Sequence, residues 1–145
     1  MNRLPFPLAD QLPAALHGVL LDFWWDVEKL WALELPDTRL AVAELRWLLD
    51  LPMWAYGGAP FRVTPHQVAA DPLRYAGQYA RTMAADPRHP LHVTDRGGRL
   101  VVLDGMHRLL RAELAGRRDV AVRVVPGAAL DAIAHHAETA DSLSK

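Results

Sequence analysis

Between Leu12 and Leu35 the apolar residues Leu16, Val19, Leu20, Phe23, Trp24, Val27, Leu30 and Trp31 recur every three or four positions, the spacing that gathers side chains on one face of a helix. The pattern predicts an amphipathic helix that Pro36 stops. Asp37 or Thr38 can cap a second helix, which carries Leu40, Val42, Leu45, Leu48 and Leu49 and ends before Pro52. Tyr56-Gly57-Gly58-Ala59-Pro60 then interrupts the periodicity. The chain accordingly divides into a two-helix N-terminal extension over 1–58 packed on the core, an α/β segment over 59–126, and a C-terminal helix with a polar tail over 127–145.

Past the glycines the pattern shifts toward strands and short helices. Phe61-Arg62-Val63 alternates as a short strand does, and Thr64-Pro65 supplies an N-cap followed by proline at the first helical position. A longer helix is predicted from Pro72 to Ala85, because Leu73, Ala76, Ala80 and Met83 fall at helical spacing, with Pro87 and Pro90 ending it. Leu91-His92-Val93-Thr94 and Arg99-Leu100-Val101-Val102-Leu103 flank Asp95-Arg96-Gly97-Gly98, a hairpin turn signal. After Leu103 the period becomes helical through Met106, Leu109, Leu110 and Leu114, until Gly116 caps it. Asp119 to Pro126 returns to β character, and Ala128 to about His136 predicts a last helix. These elements describe an α+β fold, a small mixed β-sheet with surrounding helices.

Composition narrows the function more than the fold. A chain of 145 residues that is 51% hydrophobic, with five Trp, can bury one core. Sixteen Lys and Arg against seventeen Asp and Glu leave a net charge near −1, so no general field draws in nucleic acid or a membrane, and any anion site has to be local. The absence of cysteine excludes disulfides, thiolate metal sites and cysteine nucleophiles. No apolar run approaches the roughly 18 residues of a membrane span, and the N-terminal segment lacks an uninterrupted apolar stretch. A cytoplasmic location is the expectation.

The candidate chemistry lies where the strand ending at Leu103 turns into a helix. Glycine at 105 lets a ligand or neighbouring backbone come close. The free N–H groups of the first helical turn, at the positive end of the helix dipole, can hold phosphate, with His107 and Arg108 adding hydrogen bonds and charge. Asp104 repels bare phosphate, so a functional role for it means binding a divalent cation, accepting a proton or orienting His107. Equally, aspartate before a helix is a common N-cap, and Arg108 can pair with Glu113 or with solvent.

The run from Val101 to Gly116, with Asp104-Gly105-Met106-His107-Arg108 at its centre, followed by Val120-Ala121-Val122-Arg123-Val124, resembles the ParB/sulfiredoxin superfamily. The likeness covers less than half of the chain. It extends to Thr64-Pro65-His66-Gln67, which looks like that family's early loop, and to Pro90-Leu91-His92-Val93, which looks like its entry to the sheet. The resemblance implies a nucleotide pocket in which Gly105, Met106, His107 and Arg108 contact phosphates. Sulfiredoxins carry a cysteine immediately before the His-Arg pair, and Met106 stands there, so sulfinic acid repair is excluded. Chromosome-partitioning ParB proteins append a helix-turn-helix DNA domain, for which the residues after Pro126 leave no room. The D-G-x-H-R pattern is closest to the free serine kinase branch, which implies Asp104 and His107 as catalytic residues and His66 and Gln67 as substrate-binding ones. That branch has a glutamate, proposed as general base, where this chain has Gln67, and an amide cannot take a proton. Asp104 or His66 then has to serve as base, or the protein binds nucleotide without that activity.

Two readings follow. One is a phosphotransferase or nucleotide hydrolase using ATP, ADP or CTP on a small hydroxyl-bearing metabolite, with no metal held by the protein alone and magnesium reaching Asp104. The other is a non-catalytic nucleotide-sensing or protein-interaction module. DNA binding is disfavoured by the balanced charge. Trp24, Trp25, Trp31, Trp47 and Trp54 read mainly as core. The adjacent Trp24 and Trp25 cannot share one helical face, which leaves one for a partner or for the pocket rim, and a homodimer through the Trp-rich helices is one form this allows. The pairs His89/His92 and His135/His136 lack zinc spacing. Arg74 and Arg81 read as a solvated stripe from which Arg81 can reach a phosphate.

Overall fold

The structure, a computed structural model, describes residues 2–3 and 24–135. The part of the first expected helix that carries Leu16, Val19, Leu20 and Phe23, and the polar tail, lie outside the described residues. Strand β1 (Asn2–Arg3) pairs antiparallel with β2 (Trp24–Asp26). The Trp doublet is therefore in a strand and not in the helix expected there. The alternation of a strand sends Trp25 inward, 8% exposed, and Trp24 outward, 39% exposed. Among the described residues of that expected helix, only α1 (Val27–Trp31) is helical, capped by Asp26 Oδ1, which accepts from the N–H groups of Glu28 and Lys29 at 2.9 and 3.3 Å.

The second expected helix does not form. Its residues form β3 (Thr38–Ala41) and two 3₁₀ segments, Val42–Glu44 and Arg46–Asp50. The apolar periodicity was a true signal of burial, since Val42, Leu45, Leu48 and Leu49 are all buried. The spacing of Val42, Leu45 and Leu48 is three, which is the repeat of a 3₁₀ helix as well as a permitted step on an α-helix. The described part of the Trp-rich third is thus mostly strand and tight turn.

From residue 54 onward the expected elements largely form. Strands β4 (Trp54–Tyr56) and β5 (Ala59–Val63) make a hairpin over Gly57-Gly58. Helix α2 (Pro65–Ala70) starts in a capping box. Helix α3 (Ala76–Ala84) begins later than expected; residues 72–75 form a turn, which leaves Leu73 93% exposed. Strands β6 (Leu91–Arg96) and β7 (Arg99–Asp104) make the second hairpin, helix α4 (Met106–Leu114) follows, and β8 (Asp119–Val124) closes the unit. In place of the last expected helix come a 3₁₀ turn, Gly127–Ala129, the short α5 (Leu130–Ile133) and β9 (Ala134–His135), which pairs with β2.

The protein is α+β. Its main sheet has the order β3-β8-β6-β7, with β6 and β8 parallel and the other pairs antiparallel. Helix α4 is the connection that carries the chain from the edge strand β7 back across to β8, and this fixes its first turn at the end of β7. One apolar core joins the sheet to the 3₁₀ segments and α4 through residues such as Leu48, Leu91, Leu109 and Val120. A second, of Trp25, Leu30, Leu103, Val125 and Ile133, lies under β2 and α5. No helix among the described residues is long and apolar enough to cross a membrane.

Candidate functional site

The end of β7 and the start of α4 open on a cleft of about 620 Å³. Gly105 occupies the N-cap position of α4 with φ of +117°, a conformation that side chains rarely adopt. A Cβ there would lie 2.9 Å from Leu91 Cγ and 3.3 Å from an Arg108 terminal nitrogen. Glycine is required by this close packing, whether or not a ligand approaches. No side chain caps the first N–H groups of α4, and its first residues, Gly105, Met106, His107 and Arg108, line the cleft.

Asp104 does not cap the helix. It is buried, 6% exposed, and its Oδ2 accepts from Arg108 at 2.9 Å and from Trp31 Nε1 at 2.9 Å. Arg108 pairs with Asp104 and not with Glu113, and its other terminal nitrogen donates to the Pro90 carbonyl at 2.7 Å. Arg108 therefore braces the corner and joins α4 to the segment entering β6. His107 is stacked on Trp54 with ring centroids 4.2 Å apart, and its Nε2 lies 2.7 Å from Gln78 Oε1. Gln78 Nε2 in turn donates to the Ala55 carbonyl at 3.1 Å, so the orientation of His107 is set by α3 and the β4 strand.

The opposite wall comes from α3 and the segment after it, with Arg81, Asp86 and His89. Hydrogen bonds from Arg88 hold the Asp86 carboxyl well below the usual carboxylate range. Each cleft carboxylate thus has its own guanidinium, Asp104 with Arg108 and Asp86 with Arg88. Arg81 is the lining cation with no carboxylate partner among the described residues, and it and the helix dipole are left to act on a ligand. The apolar side is supplied by Met53, Pro60 and Phe61. Phe61 has φ of +56°, a conformation that costs a bulky residue on the order of 1 kcal/mol.

His66 and Gln67 do not line this cleft. Gln67 is the reciprocal partner in the capping box of α2: its Oε1 accepts from the Thr64 N–H at 2.8 Å, and its own N–H donates to Thr64 Oγ1 at 2.9 Å. His66 sits between two carboxylates, with Nδ1 2.6 Å from Asp50 and Nε2 3.2 Å from Glu113. The structure therefore gathers Asp104, Gly105, Met106, His107 and Arg108 and separates them from the early-loop pair. Sequence reasoning missed Gln78, Phe61 and the Trp31 contact to Asp104. Gln78 and Arg81 stand three apart on α3, one helical turn, which is the one local sign that they share a face. The chain matches no family model, and no curated protein or solved structure is significantly similar to it.

Proposed function

We propose that the cleft binds a nucleotide, with its phosphates at the first turn of α4 and Arg81 and its base against Met53, Pro60 and Phe61. The observation that carries the reading is the pairing of charges: both carboxylates of the cleft have their own arginines, and Arg81, unpaired among the described residues, lines the same space as the uncapped start of α4. Such an arrangement suits a multiply charged anion carrying an apolar ring. The resemblance of residues 101–116 to the ParB/sulfiredoxin superfamily supports the same reading.

A second reading, a phosphotransferase or hydrolase, is favoured by the presence of Asp104 and Asp86 on the two walls of one cleft, where a magnesium–phosphate complex would find carboxylate oxygens. In that reading Asp104 would have to leave Arg108 or Trp31 during turnover.

Calorimetric titration with ATP, ADP and CTP, with and without magnesium, tests both. Arg81→Ala removes an exposed side chain with no partner to strand, so it is expected to leave the fold intact and weaken binding about tenfold. A folded wild-type protein that binds none of the three rejects the reading. Magnesium-dependent product, followed by chromatography, would establish the second reading, and binding without product would leave the first alone.

A further inference from the structure

A second cleft of about 320 Å³ lies beside the first, and the two share Ala55, Gln78 and Arg81. It is lined by Tyr56, Arg74, Tyr75 and Gly77. Tyr56 and Tyr75 meet edge to face at 4.9 Å between centroids, and Tyr56 is 44% exposed. Arg74 lies over the Tyr75 ring at 5.5 Å. The Tyr56 ring, open to solvent and braced edge to face by Tyr75, makes a stacking surface for a flat ligand ring. Gly77 keeps this space clear: a Cβ built there meets nothing within 4 Å.

We propose that the two clefts form one groove and that it takes a ring–phosphate–ring ligand of the dinucleoside polyphosphate class, with the second ring on Tyr56 and Tyr75. The inference rests on the nucleotide reading above. Arg81, which borders both clefts, faces the phosphate bridge, and the two rings occupy the two ends. A mononucleotide fills the first cleft and leaves the tyrosines open.

The test compares the mononucleotide that binds best among ATP, ADP and CTP with the dinucleoside tetraphosphate of the same base, on wild type and on Gly77→Leu. Leucine at this helical position is compatible with the backbone and improves helix propensity, and because Gly77 lines the second cleft the added side chain takes up space at it. The wild type is expected to bind the dinucleotide about tenfold tighter, as one stacked base allows. Gly77→Leu is expected to abolish that preference while changing mononucleotide affinity less than about twofold. Equal binding of the two ligands by the wild type, or a preference that survives Gly77→Leu, overturns the inference and leaves the nucleotide reading standing. Failure of every nucleotide to bind removes both together.

Discussion

Helix α4 carries a polar cluster at each end, and the two are made of the same residue types at different depths. At its start, Asp104 is 5% exposed at the side chain and pairs with an Arg108 that is 22% exposed, and His92 lies cross-strand from Asp104 in the hairpin register. Near its end, Glu113 takes Arg46 and His66 in a half-exposed cluster that includes Asp50, which is 70% exposed. Depth changes what a histidine does. His92 is buried, and neither ring nitrogen has a hydrogen-bond partner among the described residues, so desolvation pushes its pKa down. Asp104 and Asp37 oppose this, and Arg123 and Arg108 add to it. For His66, partial burial lowers the pKa, but the hydrogen bonds to Asp50 and Glu113 outweigh it and the net shift is upward. The same imidazole is thus held neutral at one end of the helix and favoured as a cation at the other.

The largest effect should come from breaking the buried cluster. Asp104→Ala strands Arg108 and the Trp31 indole, and a loss of about 3 kcal/mol is expected by urea denaturation. A loss under about 1 kcal/mol would place this pair with ordinary surface ion pairs and erase the contrast in depth.

The two histidines sharpen the comparison by sign. The unfolded chain protonates His92 near its ordinary value of 6.5, whereas the folded protein resists, so stability falls as pH drops through 6.5 toward the lowered folded value. Replacing the unpartnered ring by an apolar one, His92→Phe, should raise stability at pH 5 by about 1 kcal/mol relative to wild type, with a smaller gain at pH 7.5. Thermal unfolding at the two pH values reads this directly; an equal gain at both would mean that His92 does not titrate with folding. His66 runs the other way. Its contribution is fully present below 6.5 and is lost as pH rises through the raised folded value. Being partly exposed and screened, it is the smallest effect: His66→Gln should cost about 0.5 kcal/mol at pH 5.5 and nothing measurable at pH 8.5. A penalty that grew with pH would show that the imidazole acts through packing and not as a cation between two carboxylates.

How much of this was legible in the sequence depends on how local each cause is. The second hairpin and α4 were readable because the change from period two to period 3.6 occurs within a few residues around Leu103, with turn glycines on one side and Gly116 on the other. The same logic failed before residue 50. Val42, Leu45 and Leu48 at intervals of three serve a 3₁₀ segment as well as an α-helix, and Thr38–Ala41 is a strand because Asp119–Val124 offers it an edge. Trp24 and Trp25 do point apart as expected, but through strand alternation and not helix geometry. In the site, Gly105 through Arg108 could be picked out as a strand-to-helix corner and Arg81 as a cation able to reach a phosphate, whereas Gln78 and Phe61 arrive from elements that only folding brings near it.

The sequence by itself determined the local grammar: where the chain turns, which stretches bury, and that a helix begins behind a glycine at 105. Backbone propensity and side-chain period act over a few residues, so those features need no distant partner. Tertiary structure decided which charges remain available. Trp31 reaches Asp104 across 73 positions of chain, Arg46 reaches Glu113 across 67, and Arg123 reaches Asp37 across 86. Pairings at such separations are set by sheet order and packing: with Arg46 on Glu113, Arg108 is left to its local partner Asp104 and to the Pro90 carbonyl, while Arg81 arrives at the cleft from another helix.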